Sequence, residues 1–421
     1  MGHLLMIESW VGSMSTLLPR GIHQRGDRFS FLTRDLAHYV KTAAGTAHPL
    51  LTATNIVTAD TNDEAALLPY ARRLHTALEF DGVLSSCDYY LPTVAAVAAE
   101  LGLPGPSRES VAAACDKERT RRICAAAGVP QPDFAVAAEW PELADAAERI
   151  GFPLVVKPVD LCGGMFVRRV ENGHELRVAV EELAGFPVNA RGQRRSPLVL
   201  LEECLDGPEF SVETVTFGGR TTVVGITDKP VVGQPWFIEA GHMFPAALEP
   251  AAAAGIGAVA TAAIAALGLD STVAHTEIKL TGTGPKLVEV NPRPAGNRIT
   301  ELVRRVTGID LAAVHADLAL GREPDLTPLD TGIGSAAIAF LIPEQTGVLR
   351  EITGAQHWPD DARIVDHHLA EPGKEVTAAR NNNGYLGHVM VAVDKPEAAG
   401  PFAQDLIAEL KTHYDEPGTT S

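Results

Sequence analysis

The sequence has no uncharged apolar run approaching the roughly 18 residues that a membrane helix needs. Its longest apolar segment, residues 251–269, is rich in Ala and Gly and reads as a helix packed inside a globular protein. The start, with Leu4, Leu5, Met6 and Ile7, lacks a basic segment and an uninterrupted apolar run ending in a cleavage-type site, so no signal peptide is expected and the cytoplasm is the expected location. Cysteine is scarce: Cys87, Cys115, Cys124, Cys162 and Cys204 are odd in number and show none of the short paired spacings of a zinc site or disulfide framework. They are expected to be free thiols, mostly buried. Basic residues are few, 35 Lys and Arg against 53 Asp and Glu, which leaves a formal charge of -18. With no dense basic stripe, nucleic acid and anionic membrane surfaces are excluded as main partners. Two short Arg clusters, Arg119, Arg121, Arg122 and Arg191, Arg194, Arg195, are read as solvated faces.

What is present is a large apolar fraction, 46% against 21% charged, over 421 residues, enough for two to four packed subdomains. In the first third, apolar runs at residues 4–8, 55–58 and 82–85 alternate with helical patterns at 63–79 and 91–101, which predicts a small α/β unit with a parallel sheet. Residues 102–107 break the pattern, helices are expected from residue 107 and over 116–127, and Gly128-Val129-Pro130 ends the second. From Phe152 onward, apolar runs at 153–156, 199–202, 209–216, 221–226, 276–280 and 286–290 predict an antiparallel-rich sheet with the helix 251–269 packed on it. The fold class is thus α/β followed by α+β. Residues 189–197 are expected as a surface loop, 387–393 as a late strand, 398–412 as a helix and 415–421 as a disordered end.

Three groups of residues carry chemistry. Lys117 opens the helix of Asp116-Lys117-Glu118-Arg119, and Lys157 ends the strand Leu154-Val155-Val156-Lys157-Pro158, where its ammonium can meet phosphate oxygens beside a cleft. Just downstream, Gly163-Gly164 lets the backbone approach a phosphate with exposed N–H groups, although no Gly-Lys-Ser/Thr follows and the P-loop pattern is excluded. In the second group, Glu202-Glu203-Cys204-Leu205-Asp206-Gly207-Pro208-Glu209, one strand ends in two carboxylates and another begins after a Gly-Pro turn. That corner suits a flat base with amino and hydroxyl donors; an acidic surface hairpin is the alternative reading. The third group is Glu277 in His275-Thr276-Glu277 and Glu289, Asn291 and Arg293 in Glu289-Val290-Asn291-Pro292-Arg293. Period-two geometry puts the last three on one side, with Glu277 across from them on the neighbouring strand. Two carboxylates and an amide oxygen make a hard, oxygen-only site suited to magnesium on nucleotide phosphates, and Arg293 offers a planar fork beside it.

In order and spacing these groups resemble the ATP-grasp superfamily of carboxylate–amine ligases, with the likeness running over roughly residues 80–300. The resemblance implies a pre-ATP-grasp α/β domain at residues 1–115, a lid subdomain at 116–205, an ATP-grasp core with metal and substrate site at 206–312, and a C-terminal subdomain at 313–421. It implies ATP as cosubstrate with Mg2+, or Mn2+ in its place: Lys117, Lys157, Gly163 and Gly164 on the phosphates, Glu202, Glu203 and Leu205 on the adenine, Glu209 on the ribose, and Glu277, Glu289 and Asn291 on the metal. Arg293 would stabilise an acyl phosphate and the tetrahedral state formed on amine attack. A narrower likeness, in Trp236-Phe237-Ile238-Glu239-Ala240-Gly241-His242, is to bacterial L-amino acid ligases, and implies that Glu239 and His242 contact substrate amino or carboxylate groups. The chain departs from that pattern in Met165 and Phe166 after the glycines and in Asn297 where a bulky aromatic is usual, so a different specificity is expected. Gly384-Tyr385-Leu386-Gly387-His388 is similar to the family's late strand and is read as structural. Small carboxylates and amines are the expected partners, in a homodimer. A cyclising ligase acting on one bifunctional substrate, a ligase of central metabolism and a non-catalytic nucleotide-binding protein are the competing readings.

Overall fold

The computed structural model describes residues 1–40 and 48–415. The N-terminal unit is built from β1 (His3–Ile7), α1 (Met14–Gln24), β2 (Arg28–Thr33), α2 (Leu36–Val40), β3 (Asn55–Thr58), α3 (Glu64–Leu78), β4 (Gly82–Leu84), α4 (Leu91–Leu101) and α5 (Arg108–Ala114). Its strands form a parallel sheet in the order β3-β2-β1-β4, as the alternation of apolar runs and helices predicts. All five residues of β1 are buried because helices cover both faces of the sheet.

The second unit begins with α6 (Lys117–Ala126). The Asp116 carboxylate caps it by accepting from the Arg119 N–H at 3.2 Å, an interaction worth about 1 kcal/mol, and so sets Lys117 at the first helical position. There follow β5 (Phe134–Ala137), α7 (Trp140–Ile150), β6 (Leu154–Pro158), β7 (Arg168–Val170), α8 (Gly173–Ala184) and β8 (Val199–Glu203), with the strands in the antiparallel order β5-β8-β6-β7.

The largest sheet collects β9 (Glu209–Phe217), β10 (Arg220–Asp228), β13 (Gly241–Phe244), β14 (Thr272–Thr281) and β15 (Gly284–Asn291), with a small ribbon of β11 (Val231–Val232) and β12 (Ile238–Glu239) beside it. The Ala-rich helix α9 (Pro250–Ala266) buries Ile256, Val259, Ala260, Ala263 and Ile264 against this sheet. After α10 (Ile299–Thr307) and α11 (Leu311–Ala319), the strands β16 (Ser335–Leu341), β18 (Ile364–Leu369) and β20 (Gly387–Val393) extend the same sheet to the order β15-β14-β9-β10-β13-β16-β20-β18. A third layer, β19-β17-β21, is formed by β17 (Gly347–Thr353), β19 (Glu375–Val376) and β21 (Lys411–Asp415), and α12 (Ala399–Ala408) packs on β16 and β20.

Several expectations are corrected. The division between residues 312 and 313 falls inside α11, whose Ala312, Ala316 and Ala319 complete the N-terminal core while Leu311, Val314 and Leu318 face the large sheet. Gly82 permits this approach: a Cβ there would stand 2.1 Å from the Ala319 carbonyl oxygen. The helix foreseen over 398–412 stops at Ala408, and residues 411–415 pair with β17 instead. Residues 416–421 lie outside the described residues. Arg121, Arg191 and Arg195 are buried, not solvated. The segment 189–197 is accordingly more than a surface loop, because Arg191 donates to the Ser9 carbonyl at 2.5 Å and Gln193 to the Tyr89 carbonyl at 3.1 Å, strapping the second unit to the N-terminal one. The cysteines are free as expected, but only Cys87 and Cys124 are fully buried. Among the described residues no helix is long and apolar enough to cross a membrane.

Candidate active site

A cavity of about 640 Å3 lies where the three units meet. Lys117, Lys157, Gly163, Gly164, Glu202, Glu203, Leu205, Glu209, Glu239, Glu277, Glu289, Asn291 and Arg293 all line it. Residues singled out in the sequence by pattern and by family resemblance thus line one space, of a size suited to small-molecule ligands.

The acidic end is the β14–β15 hairpin. Its register sets Glu277 opposite Glu289 and His275 opposite Asn291, as strand alternation predicts, with a bulge after Glu277. Lys117 bridges to Glu289 at 3.1 Å and donates to the Leu161 carbonyl at 2.6 Å, so the α6 ammonium is held against both the hairpin and the glycine loop. Burial would lower its pKa, but Glu289 outweighs that and the ammonium is held above its usual range.

At the opposite wall, Glu202 is clamped by Arg121 (Nε to Oε1, 2.6 Å) and Lys157 (Nζ to Oε2, 2.7 Å), all three buried. Burial alone would raise the Glu202 carboxyl, yet the two cations hold it below the normal carboxylate range. Lys157 is lowered by burial, an effect Glu202 only partly offsets. Glu203 points away to Lys286 at 2.9 Å, and Leu205 contributes apolar wall. Gly163 and Gly164, both with φ near +70°, give the loop between β6 and β7 a left-handed turn that a side chain would strain.

The centre contains a cation absent from the sequence reading. Lys229 is buried with its ammonium 3.5 Å from Glu209 and 3.2 Å from Glu239, and in direct contact with Glu277. Its pKa, lowered by burial, is driven well above the usual value by these carboxylates, foremost Glu239. His275 is a second such group, 2.9 Å from Glu213 and 3.3 Å from Glu277. Burial opposes its charge, but the carboxylates push its pKa up to about 9, so it is an imidazolium at neutral pH. Arg293 is fixed by Asp88 at 2.7 Å, whose other oxygen accepts from Trp10 at 2.8 Å.

His242 is the exception among the expected residues: it does not line the cavity. Strand β13 turns it inward, 3.3 Å behind Glu239 and edge-on to Phe340, while Glu239 faces the cavity and accepts from Asn297 at 2.9 Å.

Each missed residue carried some signal. Lys229-Pro230 repeats the strand-ending Lys157-Pro158 pattern, Arg121 lies four residues after Lys117 on the same helical face, and Asp88 follows β4 at the carboxyl end of a parallel sheet, where ligands gather. His275 stands two residues before Glu277 and therefore on the same strand face.

The donors fit a hard divalent cation. Glu277, Glu289 and Asn291 offer carboxylate and amide oxygens on neighbouring strands, a hard donor set that water or phosphate oxygens could complete. Paired lysines, a glycine turn, a carboxylate-rich hairpin and a pinned arginine around one cavity make a site whose charges suit a nucleotide phosphate and a small anionic ligand.

Comparison with known proteins agrees. The ATP-grasp domain profile matches residues 150–301, the ATP-grasp N-terminal domain residues 35–105, and the L-amino acid ligase C-terminal domain 2 residues 339–415. An uncharacterized protein of Sinorhizobium fredii, y4rH, is 30% identical over 352 residues, 83% of this chain and 72% of its own. Carnosine synthase 1 of Mus musculus is 28% identical over 265 residues, 59% of this chain, which spans about a third of that protein (32%). In three dimensions an L-amino acid ligase from Bacillus licheniformis superposes with a TM-score of 0.80 at 24% identity, covering 99% of both chains. The chain belongs to the ATP-grasp family and is an ATP-dependent carbon–nitrogen ligase of the carboxylate–amine type.

Proposed function

We propose that the enzyme joins two amino acids or amino-acid-like acids through an acyl phosphate, using ATP and Mg2+. The observation that carries this reading is the convergence of Lys117, Lys157, Gly163-Gly164, the Glu277/Glu289/Asn291 set and Arg293 on one cavity. The choice of amino acids is supported by the match of the C-terminal module to L-amino acid ligases and by Glu239, an ionised carboxylate facing the cavity and suited to a substrate ammonium.

In this reading Glu202, the Glu203 backbone and Leu205 bind the adenine, Glu209 binds the ribose, and Lys117, Lys157 and the glycine turn bind the phosphates. Magnesium on Glu277, Glu289 and Asn291 would neutralise charge on the phosphate oxygens. A carboxylate oxygen of the first substrate attacks the γ-phosphorus, and the bond to the β-phosphate oxygen breaks, releasing ADP. The amine of the second substrate then attacks the acyl carbon, the bond to phosphate breaks, and inorganic phosphate leaves with the amide formed. Arg293, oriented by Asp88, faces the oxyanion of the tetrahedral state. His242 acts through Glu239 by holding it, not by touching substrate. The cytoplasm and a homodimer, expected from the sequence, stand as parts of this proposal; light scattering tests the dimer.

Hydroxylamine trapping tests the reaction. With ATP, Mg2+ and pooled amino acids, hydroxamate together with ADP is expected. AMP in place of ADP would mean adenylation and would overturn the mechanism, while turnover with a single added acid and no amine would favour cyclisation.

A further inference from the structure

The turn between β19 and β20, at residues 380–385, just precedes and enters the segment read from sequence as structural, and its Asn382 and Asn383 line the cavity. The Asn382 N–H donates to the Gly163 carbonyl at 3.2 Å. Its Oδ1 accepts from the Glu239 N–H at 3.0 Å, and the Tyr385 hydroxyl donates to the Glu239 carbonyl at 2.9 Å. Both peptide groups of Glu239 are therefore gripped by the same turn that holds the glycine loop. The fit is close: a Cβ on Gly163 would stand 3.3 Å from Asn383 Oδ1, and one on Gly164 would stand 3.4 Å from Asn382 Nδ2. Tyr385 in turn stacks on Phe340 with ring centroids 4.3 Å apart, which anchors the turn to β16.

Within the loop itself, backbone hydrogen bonding is sparse: Met165 to Cys162 at 3.5 Å and Val167 to Gly164 at 3.2 Å. A loop so weakly held by its own bonds depends on its outside contact to stay shut. That contact comes from the C-terminal module, and its other hand is on the residue proposed to receive the amino acid.

We propose that Asn382 and Asn383 clasp the glycine loop over the reaction centre and keep water from the acyl phosphate until the amine arrives. They are positioning residues for coupling ATP cleavage to amide formation, an inference that rests on the acyl-phosphate reading above. Opening the clasp admits a competing step: a water oxygen attacks the acyl carbon, the bond to phosphate breaks, and free acid and phosphate are lost at the cost of one ATP.

The test compares Asn382→Ala and the more exposed Asn383→Ala with the wild type, using the amino acids that hydroxylamine trapping identifies. Wild type should form about one ADP per amide; Asn382→Ala, which removes the bonds its Oδ1 accepts from the Glu239 N–H and the Tyr385 hydroxyl, should raise that ratio roughly fivefold, and Asn383→Ala, which removes only packing against Gly163, should raise it by less. Formation of ADP should change far less than formation of amide. If both fall together and the ratio stays at the wild-type value, the side chains are merely structural and the proposal fails. A second readout needs no amino-acid substrate: hydrogen exchange of residues 161–167 with MgADP present should be roughly tenfold faster in the variants. Unchanged exchange overturns the clasp even if the wild type makes amide, whereas faster exchange in the variants, with a wild type that makes no amide, keeps the clasp and removes the acyl-phosphate reading. Should Asn382→Ala not fold, Asn383→Ala decides both readouts.

Discussion

Replacing Lys229 by Met removes the ammonium at the centre of the site while nearly preserving side-chain length. The wild-type group is only 1% exposed and faces Glu209, Glu239 and Glu277. Taking away one partner of a buried ion pair costs about 3–5 kcal/mol, because the remaining charge is neither solvated nor paired. A large domain loses roughly 2 °C of melting temperature per kcal/mol, which converts that cost into a fall of about 6–10 °C. The pH dependence should change as well. In the native protein burial raises the Glu239 carboxyl but Lys229 outweighs it, so its pKa lies well below the usual value. That contribution is present above the unfolded carboxylate pKa and is lost in acid. Without Lys229, burial acts on Glu239 with no ammonium to offset it and its folded pKa rises above the unfolded one, while Glu209, which burial already holds above its usual value, rises further, so protonation favours the folded state more strongly. The variant should therefore gain more stability than the native enzyme between about pH 8 and about pH 5.5. Thermal denaturation at both pH values measures this. A variant that melts within about 1 °C of the native enzyme at the higher pH would refute the claim that Lys229 holds these carboxylates together.

Three further outcomes are expected. Arg293→Lys keeps a charge but loses the planar fork that Asp88 orients, and should lower amide formation by about 10²–10³-fold with a smaller effect on ADP binding; equal loss in both would assign the residue to nucleotide binding. His315, which contacts the Ser85 carbonyl at 3.2 Å, has its pKa lowered by burial to about 4. Its neutral form is the one that folds, so stability is complete above the unfolded histidine pKa and falls as pH drops toward 4, by up to about 3 kcal/mol. His315→Leu should flatten that acid limb in urea titrations, and an unaltered limb would count against the assignment. Arg191→Ala removes the charge-assisted hydrogen bond to Ser9 and should cost about 2 kcal/mol, with faster proteolysis near residues 187–197; cleavage at the native rate would mean that the strap is held by other contacts.

Local pattern was enough for the parts of this enzyme that are local. The β14–β15 hairpin could be read from period-two spacing because its strands are adjacent in sequence, and with it the facing of Glu277 and Glu289. Lys117 was legible from the Asp116 cap, and Lys157 from its place at the end of a buried strand. Burial of the arginines was not legible, because composition assigns arginine to water and only a partner distant in sequence reverses that. The distances in sequence make the point: Arg293 finds Asp88 across 205 residues, Arg121 finds Glu202 across 81, and Glu239 finds Asn382 across 143. Such pairs have no periodicity to reveal them, since each is created when elements far apart in the chain pack around one cavity. His242 illustrates the converse: its residue type and neighbourhood suit a ligand, but the alternation of β13 points it away from the cavity behind Glu239. The sequence alone thus determined the family, the order of the elements and the acid-rich hairpin, because short-range pattern encodes them. Tertiary structure decided which charges are paired, which side chains face the cavity and which turn meets the glycine loop, because those depend on contacts between segments far apart in the chain.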